Sequence, residues 1–129
     1  MKFIQTKKYP LKGFNAISHY PFVFYKHEMR NTVMHEAIHI NQQAEVLVVS
    51  LIILFAIFGL SFWLIASYFV FYVLYLFEYL VRFAYYKDAK KAYRMISFEQ
   101  ESYSNQENDN YLEKRKVFSF LKYLLKWQQ

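Results

Sequence analysis

The sequence predicts a mainly α-helical membrane protein built around a transmembrane hairpin, and three observations predict it. From Val46 to Phe77 none of 32 consecutive residues is charged, although the chain carries 16 Lys plus Arg and 10 Asp plus Glu elsewhere. Basic residues flank the run on both sides, Lys2, Lys7, Lys8, Lys12, Lys26 and Arg30 before it and Arg82, Lys87, Lys90, Lys91 and Arg94 after it. Gly59 interrupts it near the middle. An uncharged apolar run of 18 or more residues is a membrane-span signal. As one straight helix this run would be about 48 Å long against a hydrocarbon core of about 30 Å, so a fold at Gly59 into two short spans fits better. Loops rich in Lys and Arg stay in the cytoplasm, which predicts a multi-pass protein of the cell's inner (plasma) membrane with both termini cytoplasmic. The net charge of +6 and mean hydropathy of +0.00 average an apolar hairpin with basic flanks.

The 129 residues bound the chain to one domain. The N-terminal decapeptide has no apolar core, so no cleavable signal peptide is expected. Residues 13–26 are aromatic and β-branched, with Gly13 and Pro21 as punctuation, and predict a short β element. Asn31 or Thr32 is a suitable N-cap for a helix over 31–58 that starts polar and ends apolar. A second span is expected over 62–86, a helix over 89–105, a polar loop at Asn105–Asn110, and an amphipathic helix over 111–127. That last helix would set Val117, Phe118, Leu121, Leu124 and Leu125 on one face and Arg115, Ser119, Lys122 and Lys126 on another, suited either to an anionic bilayer surface or to packing on the protein. Tyr72, Tyr75, Tyr79, Tyr85 and Tyr86 read as an interfacial aromatic belt. With no cysteine, disulfides, thiolate nucleophiles and Cys-type zinc sites are excluded.

The chemistry is concentrated in His35-Glu36-Ala37-Ile38-His39. Residues four apart share a helix face, so His35 and His39 can turn two imidazoles to one metal ion with Glu36 beside it as general base. The plain alternatives are two interfacial histidines, or a metal site that is only structural. A catalytic zinc takes three protein ligands and leaves one position open, so a third ligand must come from elsewhere. His19 and His27 lie upstream and read as surface or loop residues. The downstream carboxylates are Glu78, Glu99 and Glu101. Glu78 ends the apolar run near the level of Gln42, and is expected to be a ligand, to support a ligand histidine, or to pair with Arg82 at i+4. Glu101 points about 200° away from Glu99 around their helix. Gln42 and Gln43 continue the histidine face and can bond substrate, a water, or solvent alone.

His35-Glu36-x-x-His39 on one helix and Phe98-Glu99-x-x-x-Tyr103 on a later one resemble the gluzincin zinc metallopeptidases, in particular the CaaX-protease-like membrane enzymes and the one-domain minigluzincins. The resemblance implies His35, His39 and Glu99 as Zn2+ ligands and Glu36 as the catalytic base. It also implies that the strand before the helix binds extended substrate by β-addition. Those families commonly place an Asp four residues after the third ligand. Here that position is Tyr103, so the support of a ligand histidine is either absent or made by a tyrosine hydroxyl. Tyr93 or Tyr103 can also donate to an oxyanion.

The expected function is therefore a membrane-embedded zinc metallopeptidase hydrolysing peptide bonds at the cytoplasmic membrane face, with membrane lipid and a peptide or membrane protein as its partners. The competing expectation is a non-catalytic small subunit of a larger membrane complex with a structural or vestigial metal site. Nucleic acid is not an expected partner, because the basic residues are spread over flanks that membrane orientation already explains.

Overall fold

The computed structural model describes residues 1–7, 10, 15–27 and 30–127. The chain is mainly helical with a small N-terminal sheet. Three strands, β1 (Lys2–Gln5), β2 (Ala16–His19) and β3 (Phe22–Tyr25), lie in the order β1-β3-β2, with β1 parallel and β2 antiparallel to β3. The predicted β element is thus a hairpin joined by one further strand, while its first residues, Gly13 and Phe14, lie outside the described residues.

Helix α1 (Arg30–Phe58) runs unbroken for 29 residues, about 43 Å. It ends where Gly59 takes the left-handed conformation at φ +61° and returns its N–H to the Phe55 carbonyl, a conformation that costs least at glycine. A 3₁₀ turn (Phe62–Ala66) leads into α2 (Ser67–Tyr86), which packs back along α1, and Ser50 Oγ–H reaches the Ser67 carbonyl across the pair. The hairpin is present, and Arg30–Phe58 and Phe62–Tyr86 are both long and apolar enough to cross a membrane. Their most apolar stretches are only 28% and 17% buried within the protein.

The region expected as one helix over 89–105 is two. Asp88 caps α3 (Ala89–Arg94) by accepting the Lys91 N–H, and α4 (Ser97–Asn105) starts after an extended Ile96. Glu78 causes this break to persist. Its carboxylate accepts the Ser97 N–H at 2.8 Å and the Ser97 Oγ–H at 2.7 Å, capping α4 from a different helix. Phe98 then inserts between Phe71 and Phe120, with ring centroids at 4.7 and 4.5 Å, in a core completed by Val46 and Ile96.

The C-terminal amphipathic helix is also corrected. Residues 111–127 hold two single turns, α5 (Tyr111–Lys114) and α6 (Leu121–Leu124), because Arg115 adopts an extended backbone and Phe118 a positive φ. Arg115 is drawn inward by Glu45 and Glu101, so it does not share a solvated face with Lys122 and Lys126. Phe120 and Tyr123 are the buried aromatics of this segment, while Val117 and Leu125 remain exposed.

Candidate metal centre

The site is built where α1, α2 and α4 meet. His35 and His39 are one turn apart on α1 and both buried, with their Nε2 atoms 3.1 Å from each other. Glu99, the third residue of α4, brings Oε2 to 3.2 Å from His35 Nε2 and Oε1 to 3.1 Å from His39 Nε2. These three form a group that can hold a metal ion.

The outer contacts orient the imidazoles. His39 Nδ1 lies 2.7 Å from Gln42 Oε1, and His35 Nδ1 lies 3.0 Å from Gln106 Oε1. The Gln42 amide has its orientation fixed, because its Nε2 donates to the Phe98 carbonyl and to Glu101 Oε2. An amide oxygen at each Nδ1 assigns the proton there and leaves each Nε2 lone pair facing the centre. Two imidazole lone pairs and a carboxylate then converge, and the Glu99 Oε2 atom is buried without a hydrogen-bond donor. Tetrahedral ligands about 2.1 Å from a metal lie about 3.4 Å from one another, close to the separations seen, so the residues present fit a metal ion. Burial raises the pKa of Glu99, but the charge and hydrogen bonds of His39 and His35, when the imidazoles are protonated, outweigh it and hold the carboxyl below the ordinary carboxylate range. The Tyr75 hydroxyl donates to Glu99 Oε1 at 2.8 Å.

Glu36 is buried next to the triad and lines two recesses that meet at it. One, of about 280 Å³, is largely apolar and lies between β2 and the inner face of α2, with Phe71, Tyr72 and Tyr75 in its wall. The other, of about 290 Å³, is more polar, bounded by Asn15, Thr32 and Gln106. Ala16, Glu36 and Tyr93 border both. Burial, then the Glu99 charge, raise the pKa of Tyr93, so its phenol stays a proton donor.

Among the described residues, strand β2 presents an unpaired edge here. Lys26 N–H bonds to the Asn15 carbonyl, which sets the phase of the ladder: the pairs Ile17–Phe24 and His19–Phe22 exchange bonds, and the backbone groups of Ala16 and Ser18 turn to the other edge. Gln43 clamps the far end of that edge to α1, donating to the Ser18 carbonyl and accepting from Tyr20 N–H at 2.7 Å. His19 is half-buried with Nδ1 2.8 Å from the Tyr72 hydroxyl, bridging β2 to α2. Burial lowers its pKa, and Glu36 partly opposes that.

Several sequence expectations change. Glu78 is not near enough to ligate: Arg82 and Ser97 take its carboxylate one turn beyond Tyr75. Glu101 faces away from the triad and is held by Arg115, Tyr111 and Gln42. Tyr103 packs edge-on against the His35 ring at 4.6 Å, and Gln106 supplies the hydrogen bond expected of a residue on that helix. Gln42 and Gln43 are buried and engaged, not solvated. His27 is exposed as expected, whereas His19 borders the site. Gln106 and Tyr75 were not legible as site residues. Gln106 lies seven residues after Glu99, two turns along one face, a spacing that points to it. Tyr75 looks like any tyrosine of an interfacial belt.

No protein-family model matches the chain, and no curated protein or solved structure matches it.

Proposed function

We propose that the chain is a zinc metallopeptidase of the plasma membrane, with His35, His39 and Glu99 as ligands and Glu36 as general base, in the manner of the gluzincins it resembles. The observation that carries the reading is the approach of Glu99 to both histidines across 60 residues of chain, with Glu36 beside them and an open strand edge in front. Two imidazoles and one carboxylate are the ligand number and type of a hydrolytic zinc site, whereas a structural site is usually closed by four protein ligands. A zinc ion there would lower the pKa of water toward about 7 and polarise a carbonyl.

This chain's residues supply the rest. The β2 edge aligns an extended peptide through the Ala16 and Ser18 backbone groups. Glu36 removes a proton from the attacking water as its oxygen bonds to the carbonyl carbon, then delivers that proton to the departing amine when the C–N bond breaks. Tyr93 lies where a phenol can donate to the oxygen that gains charge. Gln42 and Gln106 keep the imidazoles in one tautomer. Both termini lie on the cytoplasmic side in this reading, which the exposed Lys87, Lys90 and Lys91 after α2 and an uncharged turn at Gly59 support.

Glu36→Gln tests the role of the base. It should bind as much zinc as the wild type and lose peptide turnover by 10²-fold or more. Zinc-loaded wild-type protein that hydrolyses no peptide would contradict the peptidase reading and favour a structural site in a subunit of a complex.

A further inference from the structure

The Arg115 guanidinium is a buried cation that the hydrolytic chemistry does not use. It sits between two carboxylates, Glu45 on α1 and Glu101 on α4, and the side chains of Arg115, Glu45 and Glu101 are 4%, 12% and 0% exposed. Taking these charges out of water is costly, and such a cluster often stabilises a fold no better than apolar residues of the same volume. What it does fix is geometry. Arg115 Nε donates to Glu101 Oε1 at 2.6 Å and its Nη2 to Oε2 at 3.3 Å, while Nη1 and Nη2 also reach Glu45. The Tyr111 hydroxyl adds a bond to Oε1 at 2.8 Å. A planar guanidinium that grips both oxygens sets the plane of the carboxylate as well as its place.

The carboxylate so held aims Oε2 at Gln42, whose Nε2 donates to it at 3.0 Å and to the Phe98 carbonyl at 3.1 Å. On the other side of the same amide, Gln42 Oε1 lies 2.7 Å from His39 Nδ1. An amide has a second orientation, with its oxygen and nitrogen exchanged. That orientation would turn an oxygen toward two acceptors and an N–H toward His39 Nδ1, which could then carry no proton. The imidazole proton would move to Nε2, the atom that faces Glu99. Two acceptors beside Gln42 Nε2 disfavour the exchange, and Arg115 holds one of them. Arg115 and Tyr111 both come from the C-terminal segment 111–127, outside the ligand set.

We propose that Arg115 is a positioning residue of the metal centre. Through Glu101 and Gln42 it keeps the His39 proton on Nδ1 and the Nε2 lone pair turned to the metal. The proposal rests on the zinc reading above, and it makes the C-terminal segment part of the site as well as a brace on the hairpin.

The test is the zinc affinity of the full-length protein in detergent micelles, read by competitive chelator titration, beside the visible spectrum of the cobalt-substituted form. Arg115→Lys keeps a cation between the carboxylates but cannot grip both oxygens of Glu101. It should weaken zinc binding by about three- to tenfold, less than loss of Gln42 itself, and shift the cobalt absorption in the same direction as Gln42→Ala. Glu101→Gln, close in shape but uncharged, carries the same expectation, so the result does not hang on one variant's folding. Arg115→Lys added to Gln42→Ala should weaken zinc by less than about twofold beyond Gln42→Ala alone, because the route is already cut. Glu45→Gln breaks the other side of the ion cluster and controls for packing, and it should leave zinc affinity within about twofold of wild type and the cobalt spectrum unmoved. Unchanged affinity in both Arg115→Lys and Glu101→Gln, losses that multiply in the double variant, or an equal loss in Glu45→Gln would overturn the positioning role and leave the metal centre standing. Wild-type protein that binds no zinc would overturn both.

Discussion

The two halves of the hairpin are built on opposite rules. In the half that holds the site, many buried positions are polar, set beside apolar ones such as Ile38, Ile96 and Phe98: His35, Glu36, His39, Gln42 and Gln43 on α1, Glu78 and Arg82 on α2, Glu99 and Glu101 on α4. In the half that ends at Gly59, exposed positions are apolar: Ile52, Phe55 and Ile57 on α1, Phe62, Phe69 and Val73 opposite, each more than half exposed. A water-soluble domain would bury fewer polar groups in the first and cover the apolar surface of the second. Apolar surface with no partner among the described residues fits a lipid surrounding, whereas the polar interior needs each donor matched to an acceptor and thereby specifies one geometry. Stability and site geometry should accordingly be sensitive in the first half and tolerant in the second.

The largest effect is expected at Arg82, which is fully buried and serves Glu78, the Leu124 and Lys126 carbonyls and the face of Trp127. Arg82→Ala leaves the Glu78 carboxylate buried without its cation and should destabilise the protein by about 3–5 kcal/mol, read by thermal unfolding in detergent micelles. It should also loosen α4, whose start Glu78 caps. Next comes Gln42→Ala, which removes the partner of His39 Nδ1 and orphans part of Glu101. Zinc affinity should fall about 10- to 100-fold in a competitive chelator titration. Gln106→Ala should act in the same direction at the lower end of that range, because it supports one histidine and lies at the edge of the site.

A pH titration is expected to be asymmetric. Metal binding requires neutral imidazoles, so affinity should fall as pH drops. Glu99 adds a step only at lower pH. With the histidines protonated, its folded-state pKa is held below the unfolded value of about 4.3, so the stability this pairing adds is lost as pH falls below that value. The smallest effects belong to the other half: Ile52→Ala and Val73→Ala should each change stability in detergent by within about 0.5 kcal/mol. A loss of 2 kcal/mol or more at either would break the contrast between the halves.

Much of this was legible in the sequence, and the parts that were not share a cause. The hairpin followed from charge placement and Gly59, and the approach of Glu99 to His35 and His39 from helical spacing joined to a family resemblance. Helical periodicity failed where one tertiary contact outweighed it. Glu78 splits 89–105 by capping Ser97, and Arg115 breaks 111–127 by turning inward to Glu45 and Glu101. The inward tyrosine was hidden for another reason. Tyr75 and Tyr85 have the same local sequence character, and only the position of Glu99 distinguishes a site hydroxyl from an interfacial anchor.

The central claim is that His35, His39 and Glu99 jointly hold one metal ion, and metal analysis of freshly purified protein beside Glu99→Ala tests it most directly. One zinc per chain in the wild type, and less than a tenth of that in the variant with its helical content intact, is the predicted result. A wild type without stoichiometric metal, or a Glu99→Ala variant that retains it, would contradict the claim.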